Sequence, residues 1–243
     1  MRVLLAVLLM AGAVWPQVPE TRRNFVACPM VRDTKTNACW LAEYEGQVYF
    51  LGIQGGVADD FYPPQLEHEV LVEGVVVAGP RVCGGIPLKP LKISVLPEIT
   101  RPCSLMLPAE DGIEAPARVR GGRPDSWVKE EGPGTTTLFF DFDNDFLSLH
   151  SGGALVKAAA YFKQSGATRI EVSGYRAASL LSSGKTMTEK AGLAQVRAGK
   201  VAESLVGLGV PAGAVKVRAV ENLELADGVS DAWKRRVVVT VQR

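Results

Sequence analysis

The chain has 243 residues, with 27 Lys and Arg against 26 Asp and Glu and 47% hydrophobic residues. That length allows one large or two small domains, and the apolar content is ample for packed cores, so disorder of the whole chain is excluded. A net charge of +1, with no basic run interleaved with aromatics, argues against a nucleic-acid partner.

Residues 1–13 read as a secretory signal. Arg2 gives a basic start, residues 3–10 form a short apolar run, and Ala11, Gly12 and Ala13 fit an A-x-A cleavage site. The run is too short to cross ~30 Å of hydrocarbon as a helix, and no later segment approaches the ~20 apolar residues required. The expectation is an exported protein whose mature form begins near Val14 and has no transmembrane span. Glu20, Arg22 and Arg23 separate Cys28 from the apolar run, which argues against lipidation there.

Four cysteines, Cys28, Cys39, Cys83 and Cys103, all lie in the first half, and an exported context makes an even count read as disulfides. Three pairings exist in principle. Local closure, Cys28 with Cys39 and Cys83 with Cys103, costs least loop entropy, and each bond would contribute roughly 3 kcal/mol in the chain-entropy model. No C-x-x-C occurs and His68 and His150 lie far from any cysteine pair, so no metal site is expected.

Short strands are predicted at residues 40–44, 47–53 (after a Glu45–Gly46 turn), 69–78 and 91–96, with no helical periodicity between them. Gly74 inside an almost continuous valine run suits a sharp bend, so residues 24–107 are read as a small, barrel-like, all-β domain carrying the disulfides. A transmembrane barrel would not fit this length or cysteine content. Residues 108–134, with Gly121, Gly122, Pro124, Gly132, Pro133 and Gly134, have linker composition, interrupted by Trp127 and Val128.

Beyond the linker, strand and helix alternate. A strand is predicted at 138–143. Leu155, Ala158, Ala159 and Phe162 form one helical face closed by Gly166, and a strand follows at 169–174. Thr188 is expected to cap a second helix with Glu189 in its first turn, ending at Gly209 before Pro211. Strands at 215–220 and 237–241 complete a β-α-β-α-β-β α/β sandwich. Residues 135–243 hold 14 Lys/Arg against 10 Asp/Glu, leaving 13 against 16 earlier, an asymmetry that supports two units.

Within 135–243, Phe140-Asp141-Phe142-Asp143, Gly174, Leu193 with Arg197 and Ala198, and Arg235-Arg236-Val237 fall in one order. That order resembles the OmpA-like peptidoglycan-associating domain. There, a strand ending in Phe-Asp, a Gly-His-Thr-Asp turn, a helix opening Asn-x-x-Leu-Ser-x-x-Arg-Ala and a final Arg-Arg-Val strand cradle the diaminopimelate group of the cell wall. The resemblance implies that Phe142, Asp143 and Arg197 bind peptidoglycan, with Arg197 taking the ligand's carboxylate. This chain departs from the family at Tyr175, Arg176 and Ala177, which replace His-Thr-Asp and leave a modified pocket without the carboxylate that pairs with the ligand's ammonium. Lys190 and Ala194 stand where the family has asparagine and serine.

Arg197 lies within the apolar arc of its helix, so its charge must meet a partner: a ligand carboxylate, or a structural bridge to Asp141 or Asp143. Asp143, Asn144 and Asp145 equally suit a turn that stops the strand. The loop bearing Ser179, Ser182, Ser183 and Gly184 is expected to be flexible. No G-x-S-x-G, H-E-x-x-H or Gly-rich phosphate loop is present, and His68, flanked by Glu67 and Glu69, reads as a surface turn. The expected function is that of a non-enzymatic envelope protein without cofactors, in the periplasm or at the outer membrane, whose OmpA-like domain associates weakly with peptidoglycan. The alternative is a degenerate OmpA-like scaffold for protein–protein contacts.

Overall fold

The computed structural model describes residues 22–54, 64–89, 91–117 and 128–243. The signal segment, Trp127 and the middle of the linker lie outside them. The N-terminal half is two β-sheets on one core. A three-stranded antiparallel sheet runs in the order β1 (Arg22–Ala27), β5 (His68–Val75), β7 (Lys92–Ile99). A five-stranded sheet is built from β2 (Pro29–Arg32), β3 (Cys39–Tyr44), β4 (Gln47–Ile53), β6 (Ile86–Pro87) and β8 (Met106–Leu107), in the order β6-β4-β3-β2-β8. Glu45 and Gly46, both at positive φ (51° and 70°), turn β3 into β4, as a two-residue hairpin requires. Between the sheets, Phe25, Trp40, Tyr49, Leu51, Val70, Val72 and Leu88 form the core.

Two expectations change here. Gly74 stays in register opposite Arg23 within β5, and the chain passes between sheets at Cys28, the single residue separating β1 from β2. The disulfides are Cys28–Cys103 and Cys39–Cys83, with Cα–Cα distances of 4.8 and 6.3 Å. The loop-entropy argument for local pairing fails because the β2–β3 ladder sets Arg32 opposite Cys39 and Pro29 opposite Ala42. Cys28 and Cys39 therefore sit at opposite ends of that ladder, roughly 13 Å apart at ~3.3 Å per residue. Cys28 instead meets the loop leading into β8, which runs parallel to β2.

The C-terminal half is one five-stranded sheet, ordered β14-β11-β15-β10-β9, from β9 (Val128–Glu130), β10 (Thr135–Phe139), β11 (Arg169–Tyr175), β14 (Val215–Val220) and β15 (Arg236–Gln242). Helices α1 (Leu149–Ser165) and α2 (Leu193–Gly207) contribute Leu155, Ala158, Ala159, Phe162, Ala198, Val201 and Leu205 to a core with Leu138, Phe140, Ile170, Val172, Val237 and Val239. Ser148 caps α1 through the Ser151 N–H, and Gly166 ends it at φ 65°. Between β11 and α2 the chain adds a hairpin, β12 (Ala178–Leu180) with β13 (Thr186–Thr188), and a short α3 (Asp231–Lys234) precedes β15. The serine-rich segment expected to be a flexible loop is this hairpin, and its Ser179 is fully buried. Thr188 belongs to β13 rather than capping α2, which starts after Gly192 at φ 82°.

The two halves share a polar seam. Alternate residues of the three-stranded sheet face away from the β core on one side: Asn24 and Val26, Leu71 and Glu73, Lys92, Ser94 and Leu96. Each polar member finds a partner in the C-terminal half. The Asn24 amide donates to the Leu180 and Gly228 carbonyls at 3.0 and 2.8 Å. Glu73 pairs with Arg235 at 2.5 Å and accepts the Ser179 hydroxyl at 2.9 Å. Lys92 pairs with Asp141 at 2.9 Å. Ser94 Oγ accepts the Phe142 N–H at 2.9 Å, while the Phe142 ring packs with Leu71 and Leu96. These contacts join the two halves directly, beside the covalent connection through the linker. β9 joins the C-terminal sheet and Ile113 packs on the N-terminal half, so both described flanks of the linker are docked. Burial pushes Lys92 down in pKa despite Asp141, whereas for Arg235 burial is outweighed by the hydrogen-bonded Glu73 together with Glu189 and Asp141, and the pKa rises.

Candidate functional site: a closed carboxylate cradle

Phe140 to Asp145 leave β10, run under the three-stranded sheet and turn at Asp143, which adopts φ 51°, a conformation aspartate tolerates. Tyr175, Arg176 and Ala177 follow β11, and Gly174 lets that strand approach α2: a Cβ there would meet the Ala194 carbonyl oxygen at 2.2 Å and Ala198 Cβ at 2.9 Å. Arg197 projects from α2 into the space between these two segments and is fully buried.

The guanidinium has five N–H donors, and five acceptors meet them. Nε donates to the Asn144 carbonyl at 2.8 Å. Nη1 donates to the Tyr175 carbonyl at 3.2 Å and Glu189 Oε2 at 3.0 Å. Nη2 donates to the Asp141 carbonyl at 2.9 Å and Glu189 Oε1 at 2.6 Å. The ring of Phe140 lies 5.0 Å below it. Of the two counterions the sequence offered, Asp141 contributes only its carbonyl, since its carboxylate holds Lys92. Asp143 turns its carboxylate to the Lys190 N–H at 2.7 Å.

Glu189 is the residue that sequence reasoning misplaced. In a helix starting at 188 it would stand eight residues from Arg197, about 12 Å along the axis and out of reach. It lies instead in the connection from β13 to α2, 2% exposed, with its carboxylate turned inward. Besides Arg197, its Oε1 accepts the Asp143 N–H at 3.0 Å and its Oε2 accepts the Ala177 N–H at 2.8 Å. Ala177 brings no acid of its own, and the Glu189 carboxylate lies against its backbone N–H. The available signal was the buried arginine itself, which obliged some carboxylate to be near.

Arg176 donates to the Glu189 carbonyl at 2.8 Å and pairs with Glu221 at 2.7 Å; Glu221 also accepts the Gly192 N–H at 3.1 Å, at the start of α2. Arg236 covers the Tyr175 ring at 4.5 Å. Asp143, Tyr175, Arg176, Ala177 and Arg197 are gathered around Glu189, with both cations among them engaged by protein acceptors, whereas the Phe142 side chain turns away to pack with Leu71 and Leu96 of the N-terminal half.

Residues 139–236 match the model of the OmpA family. The OmpA-like domain of FopA1 from Francisella tularensis subsp. tularensis SCHU S4 is 19% identical with a TM-score of 0.34, over 47% of this chain and 80% of that one. The peptidoglycan-associated lipoprotein from Burkholderia pseudomallei is 24% identical with a TM-score of 0.36, over 44% and 89%. The cell wall anchor of the T6SS from Pseudomonas aeruginosa is 21% identical with a TM-score of 0.35, over 47% and 87%. No curated protein sequence matches the chain. The assignment rests on the family match together with the ordered Phe-Asp, Gly, Arg-Ala and Arg-Arg-Val elements placed around one cradle: the C-terminal part of this chain is an OmpA-like domain.

Proposed function

We propose that this chain is an exported, non-enzymatic protein of the bacterial envelope in which the OmpA-like domain acts as a folded scaffold for protein–protein contacts, its ligand cradle closed by Glu189. The observation that carries this reading is the complete engagement of Arg197: a wall carboxylate finds no free donor on it and must break a buried bidentate pair. Breaking such a pair by removing one partner costs about 3–5 kcal/mol, comparable to the binding energy of a millimolar ligand. The seam supports the same reading, since Asp141, Phe142 and Arg235 already hold a protein surface in cis. In this view the disulfide-bonded β half carries the specific contact, and the location is the periplasm or the periplasmic face of the outer membrane.

A second reading, weak association with peptidoglycan through Phe142, Asp143 and Arg197, is favoured by one observation: Asp143 and Arg197 both contact the same buried carboxylate, so these two remain together at one cradle. Sedimentation of the mature protein with purified peptidoglycan separates the two. The scaffold reading expects the wild type to stay in the supernatant. Pelleting of the wild type that is lost in a folded Arg197→Lys variant would put the second reading first.

A further inference from the structure

Lys92 of β7 and Asp141, just beyond β10, meet from opposite halves with Nζ 2.9 Å from Oδ1, and both side chains are buried. The carboxyl carbon is the next atom along from that oxygen. Each residue is fixed by contacts that do not involve the other. Lys92 is held opposite Glu73 in the β5–β7 ladder. Asp141 is held through its carbonyl by Arg197 Nη2 at 2.9 Å, and Phe142, which follows it, by the Ser94 hydroxyl. Burial pushes Lys92 towards its neutral amine, the nucleophilic form, despite the attraction of Asp141. A cavity of about 30 Å³ opens beside the amine, between Glu73, Lys92, Asp231 and Trp233. One water needs roughly 10–15 Å³, so a released water has a place to go.

We propose that Lys92 and Asp141 condense into an isopeptide bond that ties the two halves covalently. The ion pair first neutralises itself as Nζ passes a proton to the carboxylate. The amine then adds to Cγ and forms the C–N bond. A second proton moves from nitrogen to the hydroxyl, the C–OH bond breaks, and one water leaves into the cavity. The product is a secondary amide; nothing is oxidised or reduced, and no co-reactant is consumed. Two groups fixed at contact react as though at effective concentrations of roughly 10⁵–10⁸ M. Charges held out of water are costly, and removing both supplies a driving force that the same groups lack in solution. The bond would staple the halves together whichever ligand the cradle takes.

The test is the intact mass of the purified, folded protein after reduction and denaturation, followed by peptide mapping. The wild type should be lighter than its mature sequence by one water, and Lys92 and Asp141 should be recovered in a single branched peptide that reductant does not split. Lys92→Arg should restore the full mass. Asp141→Asn should lose one ammonia instead, because the side-chain amide nitrogen is then the leaving group. A wild type of full mass, with Lys92 and Asp141 in separate peptides, overturns the proposal and leaves the two as an ion pair. So does a loss of water that persists in Lys92→Arg, which would belong to a succinimide at an Asp-Gly step such as Asp227–Gly228. The wild-type measurement decides the matter even where a variant fails to fold.

Discussion

Arg197 and Glu189 are each other's reason for being buried. Removing the guanidinium leaves a carboxylate in the interior with only two backbone donors. Arg197→Ala is therefore expected to lower stability by about 3–5 kcal/mol, read as a fall in the urea midpoint at unchanged slope. The family logic suggests restoring the lost acid with Ala177→Asp, but Ala177 is fully buried and its N–H already holds Glu189. A second carboxylate there meets the first, so this substitution should destabilise by about 1–3 kcal/mol or more rather than create a better site. Asp227 offers a pH handle. The Ser230 N–H, followed by the Val229 N–H, the Ser230 hydroxyl and Lys234, holds its carboxyl well below the usual carboxylate range. A depressed folded pKa means that its stabilising contribution is present above the unfolded value of 3.8 and is lost as pH falls through the folded one. In an NMR titration Asp227 should stay ionised after the exposed carboxylates have protonated; titration together with them would contradict the turn geometry.

At the scale of elements, β11 and α2 approach closely at Gly174. Gly174 sits where an added Cβ would lie 2.2 Å from a backbone oxygen of α2, and backbone cannot move aside as a flexible side chain would. Gly174→Ala should push α2 away from the sheet and cost about 1–3 kcal/mol, with the larger consequence that Arg197, carried on α2, loses its geometry. A stability equal to wild type in chemical denaturation would show that the helix accommodates the methyl. The hairpin β12–β13 is a second decisive element. Ser179 on its inner side bridges Glu73 and Arg235, accepting from Arg235 at 2.8 Å and donating to Glu73 at 2.9 Å.

For the whole molecule, two buried ion pairs cross between the halves, Glu73–Arg235 and Lys92–Asp141, so neither half satisfies its own charges alone. Calorimetry should show one cooperative transition over both halves, and Glu73→Ala should lower it by about 3–5 kcal/mol because Arg235 is left buried and unpaired. The disulfides close separations of 75 and 44 residues, each worth about 4 kcal/mol in the chain-entropy model. Reduction should consequently lower the single transition as a whole. Two separate transitions, of which only one responds to reductant, would mean that the seam contributes little.

The sequence alone determined the elements whose signals are local. The apolar face of α1 with Gly166 at its end, the strand at Val215–Val220 and the ordered OmpA-like residues were legible because helical periodicity, glycine conformation and motif order are written within a few positions of one another. Arg197 also announced its need for a counterion. What tertiary structure decided were the pairings between distant residues: Glu189 as that counterion, Glu73 and Lys92 as partners across the seam, and Cys28 with Cys103. In β5, Glu73 is a lone charge after Val70, Leu71 and Val72, and only the docking of a second protein surface makes its face of the sheet interior. The physical reason is common to all three cases. Burial and long-range pairing depend on which elements pack together, and no local pattern encodes the identity of an element dozens of residues away.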